Sequence, residues 1–541
     1  MALRLCVLAF AALLLSAQPG TRTRLATGFD SIHASHMRAN LTFLSSDALE
    51  GRLSLTRGSE VAIQWIASEF AKARLKPISN GTFLQPVPLI EYRTDRQASS
   101  LTVEHAGAKK ILHAPDASTN FPSDLTIAGP VLFAGFGITA PELNYDDYKG
   151  IDARGAVVLV FDHEPQENDP KSIFNGTGNT RYATSRVKLL NAQKHGAVAL
   201  LVVAEPNRKH PSNQQRAARV TGGQQTGPRF ASEAIEGDEL GIPLFTVSEQ
   251  VAADLLGAAG KRPGDLQASI DRDLHPVSLA IPETQVELHI VTRERRRATS
   301  ANVIGLLEGS DPSLKAETIV ISAHYDHNGP AANGGVYHGA DDNGSGTVGV
   351  IELARAFARN EIKPRRSILF AVFAAEERGL LGSYYYVQHP LRPLATTRAV
   401  INFDMIGRNE TPSEQTKGLI EIAADTSNEL NLVGAKYSPD YRGVVEQANR
   451  SVGLKLNYKW DDEAALNVFF RSDQFPFVLR DIPAMWWFTG FHPDYHQVTD
   501  TVEKINFVKM EKIVRLAYLA GWSFADGPTP PKFVPNPAGQ K

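Results

Sequence analysis

The chain has 541 residues, 43% hydrophobic and 21% charged, with a formal net charge of -3. That length exceeds what one hydrophobic core usually holds, so two domains are expected, and the balance excludes a largely disordered chain. Lysines and arginines are scattered, which excludes a nucleic-acid-binding surface and a polybasic membrane surface.

The N-terminus carries one positive charge, at Arg4, followed by an apolar run from Leu5 to Leu15. Ser16 and Ala17 then offer a small-residue cleavage point before Gln18. This pattern predicts a signal peptide over 1–17 and an exported protein, whether secreted, periplasmic or in an equivalent lumenal compartment. The run is too short for a good spanning helix, so no stable membrane span is expected after cleavage. The single cysteine, Cys6, lies inside the leader. A mature chain without thiols would have to build any metal site from His, Asp and Glu.

Residues 29–47 read as a short helix. A second helix is expected from Ser59 as its cap, with Ala62, Ile63, Ile66, Ala67 and Phe70 on one face and Pro77 beyond its end. Strand-like runs follow at 83–89 and 101–103. From 125 to 274 the pattern becomes βαβ-like: strands at 129–133, 155–161, 196–203 and 242–247 alternate with helices at 182–195 and 249–259. The polar stretch between Glu205 and Gly241 reads as a surface loop. His163, His195 and His210 read as isolated surface residues, and no reaction centre is expected in this segment. Its order of elements, with Asp146-Asp147-Tyr148-Lys149 before the Gly155 strand, resembles the protease-associated domain, a non-catalytic insert of exported peptidases.

Strands return at 286–291, 300–308, 318–323, 367–373, 399–403 and 484–488, with a helix at 347–359. The expected fold class is α/β: a mixed, mainly parallel sheet flanked by helices, with a smaller α/β domain inserted at 125–274. The flanking parts, 24–124 and 275–525, would form one domain, and the Pro-rich tail 526–541 an extended end.

Chemistry gathers where the buried strands stop. One ends at His324-Tyr325-Asp326, one at Glu376-Glu377, one at Asp404, and one leads through Thr489-Gly490 to Tyr495-His496. A single acidic end is a common accident, but four on one sheet point to a site, because ligand groups collect beyond the ends of parallel strands. Oxygen and imidazole donors without thiolates suit zinc in a catalytic site or another borderline divalent ion, and a metal pair needs a bridging carboxylate. Each residue also has a plainer role: Asp342 could cap the helix starting near Ser345, and Glu376-Glu377 could be a solvated junction paired with Arg378.

His324-x-Asp326, Gly339 to Gly346, Ala375-Glu376-Glu377, Asn402-Phe403-Asp404-Met405 and Tyr495-His496 followed by Asp500-Thr501 resemble the co-catalytic zinc aminopeptidases, a family that includes the aminopeptidase Y, aminopeptidase S and glutamate carboxypeptidase types. The resemblance implies two Zn2+ ions. His324 and Asp404 would be terminal ligands of one, Glu377 and His496 of the other, and Asp342 the bridge. It further implies Glu376 as general base, Asp326 as the carboxylate orienting the His324 ring, and Tyr495 as a donor to the developing oxyanion. His327, His338 and His492 are expected to stay off the metals. Gln474 stands where the family often has histidine, a departure at a supporting position. The implied function is an exported zinc-dependent exopeptidase using a two-metal-bridged water, with peptides or small proteins as substrates, and most simply an aminopeptidase. A carboxypeptidase or dipeptidase would use the same ligands. A glutaminyl-cyclase-like transferase and an inactive receptor-like ectodomain are further alternatives.

Overall fold

The computed structural model describes residues 27–220 and 231–537, so the expected signal peptide, Cys6 and the Gly222–Gln225 part of the polar stretch lie outside the described residues. Two sheets organise the chain. The larger runs in the order Ser232–Ile235, Leu84–Thr94, Thr292–Leu307, Ser367–Phe373, Thr318–His324, Thr397–Phe403, Ala484–Phe488, Glu429–Val433, Lys455–Asn457, with Lys76–Pro77 paired off this path. Its four central strands are mutually parallel. Apart from Arg398 they are buried along their lengths, as expected for strands covered on both faces. Helices Gly346–Arg359 and Phe507–Asp526, both largely buried, contact each other and the central strands. The mixed α/β fold is therefore present, but the sheet is not mainly parallel: apart from the central strands and the Glu429–Val433 pairing with Lys455–Asn457, its strands pair antiparallel.

The second sheet has the order Ala108–Leu112, Ser100–His105, Ser278–Ile290, Leu125–Ala134, Val157–Phe161, Ala199–Val203, Leu244–Val247, Ala117–Thr119. It takes strands from 100–119 and 278–290, outside the 125–274 span expected for the insert, and it has its own apolar core. The chain passes between the two sheets four times: between Thr94 and Ser100, out and back around strand Ser232–Ile235, and between Ile290 and Thr292. The polar stretch after Glu205 is not one loop. It contains the helix Asn213–Val220, and strand Ser232–Ile235 returns to the edge of the larger sheet, pairing Ile235 with Leu89.

Two local expectations change. The second helix begins at Arg57 behind Thr56, and the Ser59 hydroxyl donates to the Thr56 carbonyl at 2.9 Å from within the first turn. His163 and His210 are not isolated. Their rings stack at 4.3 Å and face Glu167 and Glu205, with His163 and both carboxylates buried. Their spacing in sequence carries no period that would have joined them.

Asp147 ties the start of the inserted module together, accepting the N–H groups of Phe136 and Ile138 and the hydroxyl of Tyr145 at 3.1, 3.0 and 2.9 Å. Burial pushes its carboxyl above the ordinary 3.8 to about 7, against the pull of those bonds. Between about pH 4 and 7 the folded chain thus keeps a proton that the unfolded chain releases, and stability falls as pH rises by up to roughly 1.4 kcal/mol per unit. Asp147→Asn is expected to flatten this part of the profile, measured as urea midpoints at pH 5 and pH 7.5 against the parent chain.

Candidate metal centre

Strand Thr318–His324 lies between Ser367–Phe373 and Thr397–Phe403, its next two strands in chain order, so the connections leave it in opposite directions. A crevice opens at such a switch point beyond the strand ends. His324, Glu376, Glu377 and Asp404 all lie there, and the turn at Ala340–Ser345 brings in Asp342.

The His324 ring is set by its Nδ1, 3.2 Å from the backbone oxygen of Asp326. Its Nε2 then faces Asp404 Oδ1 at 3.5 Å, Asp342 Oδ1 at 3.6 Å and Glu376 Oε2 at 3.6 Å. On the other side, His496 Nε2 stands 3.0 Å from Asp342 Oδ2 and 3.2 Å from Glu377 Oε2. Asp342 therefore presents one oxygen to each group. The Nε2 atoms of His324, His327 and His496 are buried and make no hydrogen bond. Unpartnered imidazole nitrogens beside inward-facing carboxylate oxygens are a donor set that fits borderline divalent cations.

The surroundings fix these groups. Asp500 accepts the backbone N–H of Asp341 at 2.9 Å and of Asp342 at 3.2 Å. Asp341, the neighbour, turns away from the centre: it accepts Gly407 N–H at 2.7 Å and meets His492 Nε2 at 3.2 Å. Asn343 donates to the Phe403 carbonyl at 2.8 Å and accepts Gly346 N–H at 2.9 Å. Only glycine fits at 346, where a Cβ would lie 2.2 Å from Asn343 Oδ1. The Ser472 hydroxyl donates to Asp404 Oδ2 at 2.6 Å, leaving Oδ1 toward His324.

One residue sits differently from expectation. The Asp326 carboxylate is 3.8 Å from the His324 ring and instead accepts the N–H groups of Glu376 and Glu377 at 3.0 and 3.2 Å. It anchors the turn that carries both glutamates. His327, expected to stay off the metals, meets Glu377 Oε1 at 2.7 Å, where Asn328 also donates at 3.2 Å, so Oε2 is the oxygen left for the centre.

Sequence reasoning missed three positioning groups. Arg52, fully buried, donates to the carbonyls of Tyr325, Leu44, His338 and Gly339 at 2.7–2.8 Å. Burial lowers its pKa to about 10, partly offset by Asp342, Asp326 and Asp500. Ser472 is the second, and Arg471 the third. Arg471 Nη2 donates to Tyr495 Oη at 3.0 Å, and both side chains line a cavity of about 260 Å³ with Asp342, Glu376, Glu377, Asp404 and His496. Burial pushes the Glu376 carboxyl well up, with His324 pulling the other way. Burial would lower His324, but Glu376 and Asp404 outweigh it and push the ring up.

Fold and donor set define the class: an α/β domain with a His/Asp/Glu cluster on its parallel strand ends. Residues 302–520 match the family model for peptidase family M28. It is 37% identical over 256 residues to leupeptin-inactivating enzyme 1 of Streptomyces exfoliatus, covering 43% of this chain and 51% of that one. It is 26% identical over 340 residues to leucine aminopeptidase 2 of Trichophyton equinum, covering 57% of this chain and 63% of the relative's length. An aminopeptidase structure from Aneurinibacillus sp. strain AM-1 aligns over 94% of this chain and 97% of its own, at 18% identity and a TM-score of 0.48.

Arg52→Met would strip four carbonyls of their donor and remove a cation from beside buried carboxylates. Breaking such a buried arrangement costs about 3–5 kcal/mol. The unfolding midpoint in urea is expected to fall accordingly, and an unchanged midpoint would show that Arg52 does not support the centre.

Proposed function

We propose that this chain is an exported metallo-aminopeptidase that removes N-terminal residues from peptides, with two Zn2+ ions at the centre. The observation that carries the reading is the division of Asp342, with Oδ1 toward His324 and Asp404 and Oδ2 toward Glu377 and His496. In this reading His324 and Asp404 hold one ion, Glu377 and His496 the other, and Asp342 is shared. Two such ions would polarise a scissile carbonyl and supply a nucleophilic water at neutral pH.

The chain's own residues do the rest. Glu376, beside the donor set and without a backbone N–H on its carboxylate among the described hydrogen bonds, takes the water proton and passes it to the leaving amine. Tyr495 is the donor for the carbonyl oxygen as it gains charge. Asp326 keeps Glu376 and Glu377 at one turn, and Ser472 keeps Asp404 turned inward. The carboxylate-rich cavity suits the ammonium of a free N-terminus. Its arginine, Arg471, is engaged by Tyr495 and, at 3.3 Å, by Gln415, so it is not presented for a substrate carboxylate. The names of the relatives support the same direction of attack. Export is inferred from the apolar N-terminal run, and among the described residues no helix is long and apolar enough to cross a membrane.

N-terminal chromogenic amides should be cleaved, N-blocked peptides spared, and cleavage lost with chelator and restored by Zn2+. Cleavage of blocked peptides from the C-terminus would move the reading to a carboxypeptidase. Glu376→Gln should keep its metal content and lose at least about 10²-fold in kcat. Retention of parental kcat would remove Glu376 from the role of base.

A further inference from the structure

The group of His163, Glu167, Glu205 and the partly buried His210 belongs to the inserted module and takes no part in the chemistry above. Four such side chains with converging atoms suggest a cation site, but Arg216 argues otherwise. Its Nη1 lies 3.0 Å from His163 Nε2 and its Nη2 2.9 Å from His210 Nδ1. A guanidinium only donates, so His163 Nε2 must be the acceptor and the ring proton sits on Nδ1. That N–H points at Glu167 Oε1, 2.6 Å away, while His210 Nε2 meets Glu167 Oε2 at 2.7 Å. Both rings thus turn an N–H to the carboxylates where a metal would need a lone pair. The group holds an arginine in place.

What Arg216 holds in turn lies in the other domain. Its Nε donates to the Ala465 carbonyl at 2.6 Å and its Nη2 to the Ala464 carbonyl at 2.9 Å. Nη1 also donates to Asn213 at 2.7 Å. The guanidinium is buried, and its fork spans two domains in a way that a lysine ammonium, a single point, cannot reproduce. From Ala465 the chain runs through a short turn at Val468–Phe470 into Arg471 and Ser472. Phe470 and Arg471 form cavity wall, Arg471 bonds Tyr495 Oη, and Ser472 bonds Asp404. Because Arg471 occupies a lone pair of the phenol oxygen, the phenol proton is left for an acceptor in the cavity.

We propose that Arg216 is a positioning residue for the reaction. Held by His163 and His210, it fixes the 464–472 segment and through it the Arg471–Tyr495 pair, so the inserted module is a working part of the active site. This rests on the hydrolytic reading of the centre, with Tyr495 serving the transition state.

Arg216→Ala should lower kcat at least about tenfold on an N-terminal amide, with KM changed less, because a misplaced oxyanion donor is lost only in the transition state. Arg216→Lys, which keeps the buried cation, should also fall short of the parent. In a double-mutant cycle with Tyr495→Phe the two losses should not multiply, since both act on one donor. Hydrogen–deuterium exchange of the 463–472 peptide should rise in both Arg216 variants, a readout that needs no turnover. Should the parent chain cleave no peptide, the functional reading fails while exchange still decides the coupling. Parental kcat in Arg216→Lys together with unchanged exchange, or fully multiplying losses, would overturn the proposal. A metal equivalent that is present in the parent and lost in His163→Ala would overturn the proton assignment beneath it.

Discussion

The constraint behind the strand-end cluster of this protein is buried negative charge. Asp326, Asp341, Asp342, Glu376, Asp404, Asp473 and Asp500 are all buried within one region, where unpaired carboxylates are costly. The fold offsets the ones that face away. Asp326 takes two backbone N–H groups, Asp500 takes two, and Asp341 takes Gly407 N–H. Arg52 adds a cation beneath the loop, and Arg408 lies 3.7 Å from Asp500. The oxygens that receive no such bond, Asp342 Oδ1 and Oδ2, Asp404 Oδ1, Glu376 Oε2 and Glu377 Oε2, are the ones aimed at the unpartnered Nε2 atoms of His324 and His496. The difference between satisfied and unsatisfied carboxylates outlines the centre without reference to any ion.

That difference explains what the sequence could and could not disclose. Strand ends are written locally: a buried apolar run that stops at His324 or Asp404 names both the strand and its polar terminus. The central parallel strands and the crevice between them follow from such runs. Asp342 and Asp341 are alike as letters, and composition left a helix cap open for Asp342. Only the long-range bonds from Asp500, Gly407 and His492 separate an inward aspartate from an outward one. Arg52 carries no local sign of its role, because three of its four carbonyl partners lie 273 to 287 residues away. His163 and His210 were misjudged for the same reason, since forty-odd residues and a strand separate two rings that end up stacked.

The Asp326 result shows how one residue type can serve a site by a different bond from the one expected. A carboxylate two positions after a metal-type histidine suggests a hydrogen bond to the ring. Here the backbone oxygen of Asp326 takes that place, and its side chain holds the following strand's turn instead. The spacing still matters, because two residues on is where the chain leaves the strand and both groups become available. Its effect reaches Glu376 and Glu377 as well as His324.

The inserted module also bears on how the larger sheet closes. Leu84–Thr94 pairs antiparallel with Thr292–Leu307, although nearly two hundred residues separate them. Closing so long a loop directly is entropically unfavourable, and the pairing returns little until it is complete. The second sheet shortens the task. Its strands Ser100–His105 and Ser278–Ile290 are antiparallel neighbours, and just beyond them Asp95 N–H donates to the Val291 carbonyl at 2.8 Å while Ser99 Oγ accepts Val291 N–H at 3.0 Å. Once the module has formed, the two strands of the larger sheet leave it side by side. The same body then returns strand Ser232–Ile235 to the sheet edge and Arg216 to the loop above the metal centre. Sheet closure and placement of the loop beside the candidate centre thus depend on one piece of structure.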